Sequence, residues 1–163
     1  MERGSSQGAG LSKADPEVFA ALYRTEYPGM VRLAYVLTGN AHVAEDVVQD
    51  AFALLHTKVG GAHNPGGYLR VTVVNLCRNQ ERRRRRDRRL DARLQQPQFS
   101  SLGASEMVDA MLHLPYRQRA VLVLRYWGDW SEAEIASALK CRPGTVKALA
   151  SRGLARLRRE IKI

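Results

Sequence analysis

The sequence predicts an all-α protein made of two small helical domains joined by a flexible linker. Apolar residues recur at helical spacing through most of the 163 residues. Residues 95–103 lack that period, are polar, and contain one proline and one glycine, which is typical of a linker. We therefore expect a disordered N-terminus over residues 1–14, a helical domain over 15–90, a linker over 91–104 and a second helical domain over 105–163.

The first domain begins with a helical rhythm over residues 17–37 that Pro28 interrupts, which predicts either two helical pieces or one kinked helix. After the turn at residues 38–40, Asn40 can cap a helix that runs from Ala41 to about Val59. The expected core face of that helix consists of Val43 or Val47, Ala51, Leu54 and Leu55.

Carboxylates lie near the start of this second predicted helix. The helix dipole accounts for Glu45 and Asp46 almost as well as a partner does. Asp50 lies further along and forms a like-charge pair with Asp46 four residues earlier, at a cost of about 0.2–0.5 kcal/mol. An external cation would relieve that repulsion. A basic protein partner and ordinary solvated carboxylates both remain consistent with this pattern.

After a glycine-rich loop over residues 60–67, a third helix is predicted over residues 68–89. Its inward residues are Leu69, Val73, Leu76 and Cys77. Arginines 82–86 are consecutive and surround the helix, so this end must project from the protein or lie against a polyanion. A flexible linker or localisation signal is the alternative. Tyr68, Asn75 and Asn79 are of the types that stack on unpaired bases or hydrogen-bond to them.

The second domain should open with a short helix, followed by a more apolar one. Met107, Met111 and Leu112 belong to the short helix, which ends at Leu114-Pro115, and residues 117–126 form the next. We expect Trp127 and Trp130 to be core or hinge residues of this domain.

The chain ends in a predicted helix-turn-helix over residues 131–163. Ser131 and Glu134 form a capping box, and Pro143 suits the first turn of the second helix. The apolar residues of that helix share one face, which leaves Thr145, Lys147, Ser151 and Arg152 on its other faces. In a helix-turn-helix such N-terminal positions meet the major groove. A helical hairpin with a solvated basic face is the alternative reading.

Composition favours a nucleic-acid partner and gives no sign of an enzyme. Twenty-six Lys and Arg oppose 16 Asp and Glu, for a net charge of +10, yet residues 1–60 carry five basic and seven acidic residues. One end is therefore expected to meet protein and the other DNA. Cysteine and histidine spacing predicts no metal, cofactor or catalytic group. With no signal peptide or spanning segment, we expect a cytoplasmic, nucleoid-associated protein without a membrane partner.

Three groups of segments resemble a bacterial RNA polymerase sigma factor of the extracytoplasmic-function (ECF) type, and within it the actinobacterial SigE-like subgroup. Residues 44–52, Ala-Glu-Asp-Val-Val-Gln-Asp-Ala-Phe, are similar to the polymerase-binding helix of region two. Tyr-Leu-Arg at 68–70, with Asn75 and Arg78, is similar to its promoter-melting helix. Region four is matched by Leu-Pro-Tyr-Arg-Gln-Arg at 114–119, Asp-Trp-Ser-Glu-Ala-Glu-Ile-Ala at 129–136 and Gly-Thr-Val-Lys at 144–147.

The resemblance implies a transcription initiation factor with three binding surfaces. Asp46, Gln49 and Asp50 would dock on the β′ clamp helices of core RNA polymerase, and region four would meet the β flap. Promoter DNA would contact Tyr68, Asn75, Arg78, Asn79 and Arg82 at the minus-ten element, and Arg142, Thr145, Lys147, Ser151 and Arg152 at the minus-thirty-five element. An anti-sigma factor would be a further partner.

The sequence departs from the family pattern at two places. Arg142 and Ala148-Leu149 stand where relatives usually carry a polar cap and a Ser-Arg pair, and the loop at Gly66-Gly67 lacks a common aromatic residue. Two other functions remain open. A stand-alone helix-turn-helix regulator would use the first domain for dimerisation, and an arginine-rich adaptor would bind RNA.

Overall fold

The computed structural model describes residues 16–58, 63–90 and 106–161, and in these ranges it contains α-helices and no strands. The helices are α1 Pro16–Thr38, α2 Ala41–Thr57, α3 Pro65–Leu90, α4 Glu106–Leu112, α5 Tyr116–Tyr126, α6 Glu132–Leu139 and α7 Pro143–Ile161. The predicted all-α class is confirmed. The expected disordered N-terminus and the expected linker lie outside the described residues.

The first three helices pack on one another around a shared apolar core. Helix α1 continues through Pro28 as one helix, so the alternative of two pieces is wrong. Asn40 caps α2 as predicted, because its side chain accepts a hydrogen bond from the Val43 N–H at 3.1 Å. On α2 the buried residue is Val47 and not Val43, and Leu54 is 46% exposed, so its predicted place in the core is wrong. Phe52 fills the core instead.

Helix α3 begins earlier than predicted, at Pro65, and includes residues 65–67 of the expected loop. The Asn64 side chain accepts a hydrogen bond from the Gly67 N–H at 3.0 Å, and Pro65 occupies the first helical position. A Cβ atom at Gly67 would lie 2.8 Å from Asn64 Nδ2, so a larger residue there would force the capping side chain to shift. Residues 66–67 are therefore the first turn of a helix, which corrects the prediction of a loop there.

Helices α4 to α7 form the second helical group. Helix α5 is its most buried element, with α7 and α6 packed against it. Trp127 is 53% exposed at the end of α5, so the first of its two predicted roles, a core residue, is wrong. Trp130 packs against the core, in agreement with that same role.

The two helical groups share one continuous core. Helix α1 contacts α4 and α5, and α3 contacts α6. Arg119 of α5, 4% exposed, lies at this junction. Its guanidinium donates hydrogen bonds to the carbonyls of Leu112 and Leu114 at 3.2 and 3.0 Å, and to that of Leu37, near the end of α1, at 2.9 Å. One side chain thus satisfies the carbonyl ends of two helices that belong to different groups.

Candidate nucleic-acid interface

Local hydrogen bonds build the helix-turn-helix of α6 and α7. Ser131 Oγ accepts from the Glu134 N–H at 3.1 Å, and Glu134 Oε2 accepts from the Ser131 N–H at 2.7 Å, which confirms the predicted capping box. Lys140 ends α6 in the left-handed conformation, with φ of 50°. Pro143 begins α7. In the N-terminal half of α7, Val146 and Ala150 are buried in the core, and the opposite face of the helix is exposed.

The exposed face of α7 carries cations on both sides of a small central residue. Arg142, Lys147, Ser151 and Arg152 are exposed, and Thr145 is half-buried. At about 100° per residue, Lys147 and Ser151 lie on one side of this face, Arg152 lies on the other, and Ala148 lies between them. Leu149 packs against the core and takes no part in the exposed face. The departure from the family pattern therefore leaves the centre of the face small and apolar.

Glu132 of α6 positions two cations beside α7. Its carboxylate lies 3.8 Å from Lys147 Nζ and 3.8 Å from Arg125 Nη1. Together with Ser151 and Arg158, these residues line a shallow groove. Sequence reasoning identified Lys147 and Ser151 but missed Arg125 and Glu132, because only the packing of α5 against α6 and α7 brings them together.

Four of the α3 residues that were predicted to contact DNA lie along one stripe of the helix. At about 100° per residue, Tyr68, Asn75, Asn79 and Arg82 fall within about 60° of one another around the helix axis. Asn75, Asn79 and Arg82 are exposed, and Tyr68 is half-buried. Lys58 Nζ, which sequence reasoning did not single out, lies 4.1 Å from the centre of the Tyr68 ring. The stripe thus begins with an aromatic ring that already holds a cation.

The arginine-rich end of α3 packs against the second helical group. Arg78 and Arg82 line a crevice with Tyr116 and with Leu139 and Lys140 of the helix-turn-helix. Further along, Arg84 and Arg88 are half-buried, whereas Arg82, Arg83, Arg85, Arg86 and Arg89 are exposed. The prediction that this end must project or lie against a polyanion is therefore wrong for Arg84 and Arg88, because the second helical group covers one side of the helix.

The acidic residues of α2 form an exposed face of their own. Asp46, Gln49 and Asp50 are all exposed, next to the partly exposed Leu54. Within residues 16–58, 63–90 and 106–161, no cation lies within 4.0 Å of either aspartate. The like-charge pair expected from the sequence is therefore present and is not relieved by any cation in the described part of the chain.

The described residues offer no grouping that suits a metal ion, and none of their helices is long and apolar enough to cross a membrane. Burial raises the pKa of the Cys77 thiol, so this cysteine stays protonated. Cys141, in the turn of the helix-turn-helix, is half-buried.

A helix-turn-helix beside a second basic helix defines a DNA-binding transcription protein. Residues 22–88 match the family model for Sigma-70 region 2, and residues 104–157 match that for Sigma-70, region 4. The RNA polymerase sigma-E factor of Streptomyces antibioticus is 31% identical over 152 residues, covering 88% of this chain and 84% of that protein. The chain belongs to the sigma-70 family of RNA polymerase sigma factors, among those of the ECF type. It is a transcription initiation factor, a class of protein that is not enzymatic.

Two further similarities support this assignment. The ECF RNA polymerase sigma factor SigL of Mycobacterium tuberculosis is 33% identical over 153 residues, covering 86% of each chain. Among solved structures, the sigma factor RpoE from Bartonella quintana, in complex with the anti-sigma factor NepR, matches with a TM-score of 0.69 at 24% identity. That match covers 90% of this chain and 98% of the other, and it supports the fold.

Proposed function

We propose that this initiation factor binds core RNA polymerase through α2 and contacts promoter DNA through α3 and α7. The observation that carries the proposal is the separation of charge on the surface. The carboxylates of Asp46 and Asp50 lie exposed on α2, while the exposed cations concentrate on α3 and α7. A single polyanionic partner would leave the α2 face without a function. Two kinds of partner, one basic and one polyanionic, fit both faces.

The α2 face suits the β′ clamp helices of polymerase. Asp46, Gln49 and Asp50 are exposed and unpaired with any cation among the described residues, so a basic partner need not break an existing ion pair. Leu54, 46% exposed beside them, adds apolar area that a protein partner would bury.

The α3 stripe suits the minus-ten element in its unpaired form. Tyr68 offers a ring for base stacking, Asn75 and Asn79 offer amides for base edges, and Arg82 and Arg78 offer phosphate contacts. Lys58 covers one side of the Tyr68 ring, so a captured base either displaces Lys58 or stacks from the opposite side. Because Arg78 and Arg82 face the helix-turn-helix across a crevice, we infer that the two regions move apart when DNA binds there.

The α7 face suits the minus-thirty-five element as duplex DNA. The helix would lie in the groove with residues that contact DNA on both of its sides. Lys147 and Ser151 lie on one side, and Arg152, Thr145 and Arg142 lie on the other. Ala148 at the centre lets the helix backbone approach the bases and can contact a thymine methyl group. Region four would also meet the β flap of the polymerase.

An anti-sigma factor is a further proposed partner of this chain. The matched RpoE structure is described as a complex with the anti-sigma factor NepR, and the structure of CnrH, with a TM-score of 0.60 at 21% identity, as a complex with the cytosolic domain of CnrY. The basic end of α3 and the acidic face of α2 are both accessible to such an inhibitor.

Runoff transcription with purified bacterial core polymerase tests the proposed function. The chain should produce defined start sites on genomic fragments from its source organism, and none should appear without it. Asp50→Lys should weaken binding to core polymerase. Glu45→Lys is the matched control, because it makes the same charge change on the same helix about 140° away around the axis. Equal losses in both variants would remove the assignment of this face to polymerase.

A second variant tests the DNA assignment separately. Arg152→Ala should leave core binding unchanged and reduce selectivity for the upstream promoter element by about 1–3 kcal/mol if the guanidinium reads a base. Promoter preference that stays the same would count against the placement of Arg152 in the major groove. A palindromic footprint by the chain alone would favour a stand-alone regulator.

A further inference from the structure

A crevice between the arginine-rich end of α3 and the α4–α5 junction contains more positive charge than the described residues neutralise. Its volume is about 370 Å³. Arg84, Arg85 and Arg88 of α3 and Arg119 of α5 line it, and Glu81 is the one carboxylate among the lining residues. Glu81 is already paired with Arg85, at 3.5 Å. Four guanidinium groups therefore share one negative charge.

Some polar atoms of the residues that line the crevice also lack partners. Arg88 Nε, Arg119 Nε and the Tyr116 hydroxyl are buried and make no hydrogen bond with any described residue. Tyr116 and Arg119 are only 8% and 4% exposed. These atoms are too deeply buried for a ligand to touch in this arrangement. What the crevice offers an anion is therefore the charge of its guanidinium groups and the N–H groups of Arg84, Arg85 and Arg88, which are half-buried or exposed.

The pKa shifts of two lining arginines are consistent with a negatively charged ligand. Burial and then the neighbouring charge of Arg88 lower the pKa of Arg84, and burial lowers the pKa of Arg119. Like charges held together in a partly desolvated space favour a counter-anion. Arginine forks match the oxygens of phosphate groups in paired hydrogen bonds.

We propose that this crevice binds a diphosphate group, either as inorganic pyrophosphate or as the polyphosphate end of a nucleotide. The size of the crevice favours a small anion over a nucleic-acid duplex, because a volume of about 370 Å³ admits a diphosphate group but not a duplex. A diphosphate bound there lies between α3 of region two and the α4–α5 junction of region four. It therefore holds the two regions in the closed arrangement and neutralises the arginines that pack there.

Isothermal titration calorimetry with the full-length chain tests this site without polymerase or promoter, so its outcome is independent of the function proposed above. Pyrophosphate should bind saturably at physiological ionic strength, and sulfate at matched ionic strength should bind much more weakly. A nucleoside triphosphate in a parallel titration distinguishes the two sources of diphosphate. Tighter binding of the nucleotide identifies a nucleotide, and tighter binding of pyrophosphate identifies the inorganic ion.

Two pairs of substitutions separate a built site from diffuse attraction. Arg84→Gln with Arg88→Gln should weaken pyrophosphate binding at least about tenfold, the effect of one lost charge-assisted hydrogen bond. Arg83→Gln with Arg86→Gln removes the same charge from exposed positions of the same helix and should change affinity less than about threefold. Equal effects of the two pairs would overturn the proposal, and so would the absence of saturable binding. Displacement of pyrophosphate by an acidic peptide at lower concentration would replace the proposal with a protein ligand.

Discussion

Replacing Arg119 with methionine measures how strongly one buried guanidinium holds the two helical regions together. Methionine keeps an unbranched, flexible side chain but has no hydrogen-bond donor. The carbonyls of Leu37, Leu112 and Leu114 would then lose hydrogen bonds of 2.9, 3.2 and 3.0 Å. Because the wild-type side chain is 4% exposed, water cannot replace these donors while the packing stays closed.

The magnitude follows from two opposing contributions. Leaving a buried acceptor without its donor costs about 1–3 kcal/mol, so three carbonyls set an upper range of about 3–9 kcal/mol. In the other direction, the variant no longer buries a cation that lacks a carboxylate within 4.0 Å among the described residues. We expect a net loss of about 2–4 kcal/mol in the free energy of unfolding, since the guanidinium is well hydrogen-bonded but unpaired.

Equilibrium urea unfolding provides the measurement, with small-angle scattering to follow compactness. The midpoint should fall at an unchanged slope, and the radius of gyration should rise because the bond to Leu37 links the two regions. Arg117→Met is the matched control. Arg117 lies on the same helix, is half-buried and makes no hydrogen bond or ion pair with the described residues, so its variant should stay within about 0.5 kcal/mol of the wild type. Wild-type or higher stability of Arg119→Met would refute the reasoning.

Three further predictions concern stability and reactivity. Gly29→Ala should stabilise the protein by about 0.5–1 kcal/mol, because a Cβ there meets nothing within 4 Å. Gly153→Ala should not stabilise the protein, because its Cβ would lie 3.0 Å from the packed Leu122 side chain. An equal rise of the urea midpoint in both variants would contradict this contrast. Ser131→Ala should cost about 1 kcal/mol in the same assay through loss of the helix cap, and a change below about 0.3 kcal/mol would mean that the cap contributes little. In the native protein a thiol reagent should label the half-buried Cys141 and leave the fully buried Cys77 unmodified. Equal labelling of the two cysteines would contradict this prediction.

Features that depend on near neighbours in the chain could be predicted from the sequence. The caps at Asn40 and Ser131 are set by hydrogen bonds that span three residues, and Pro143 defines the start of α7 by its own geometry. The start of α3 was missed although its signal was present. Asn64 followed by Pro65 is a helix start, but the two glycines that follow are more typical of a loop.

Features that depend on packing between the two regions could not be predicted in this way. The contact between Arg119 and the Leu37 carbonyl joins residues 82 positions apart, and no local pattern encodes it. The half-buried state of Arg84 and Arg88 likewise depends on where the second region lies. The shared face of Tyr68, Asn75 and Asn79 on α3 follows from the helical period alone, although they were identified from the sequence only by residue type. Their proposed roles in DNA binding remain predictions.

The carboxylate of Glu132 has a consequence for the energetics of association with DNA. It holds Lys147 and Arg125 at 3.8 Å each, so two long side chains are partly ordered before any phosphate arrives. If Lys147 contacts DNA as proposed, less conformational entropy would be lost on its transfer to a phosphate. That transfer would also break the Glu132–Lys147 ion pair, and the freed carboxylate would take up solution cations. This uptake would offset part of the counterion release from the DNA and make the salt dependence of binding shallower than the number of phosphate contacts suggests. The helix-turn-helix would then exchange an internal anion for an external one.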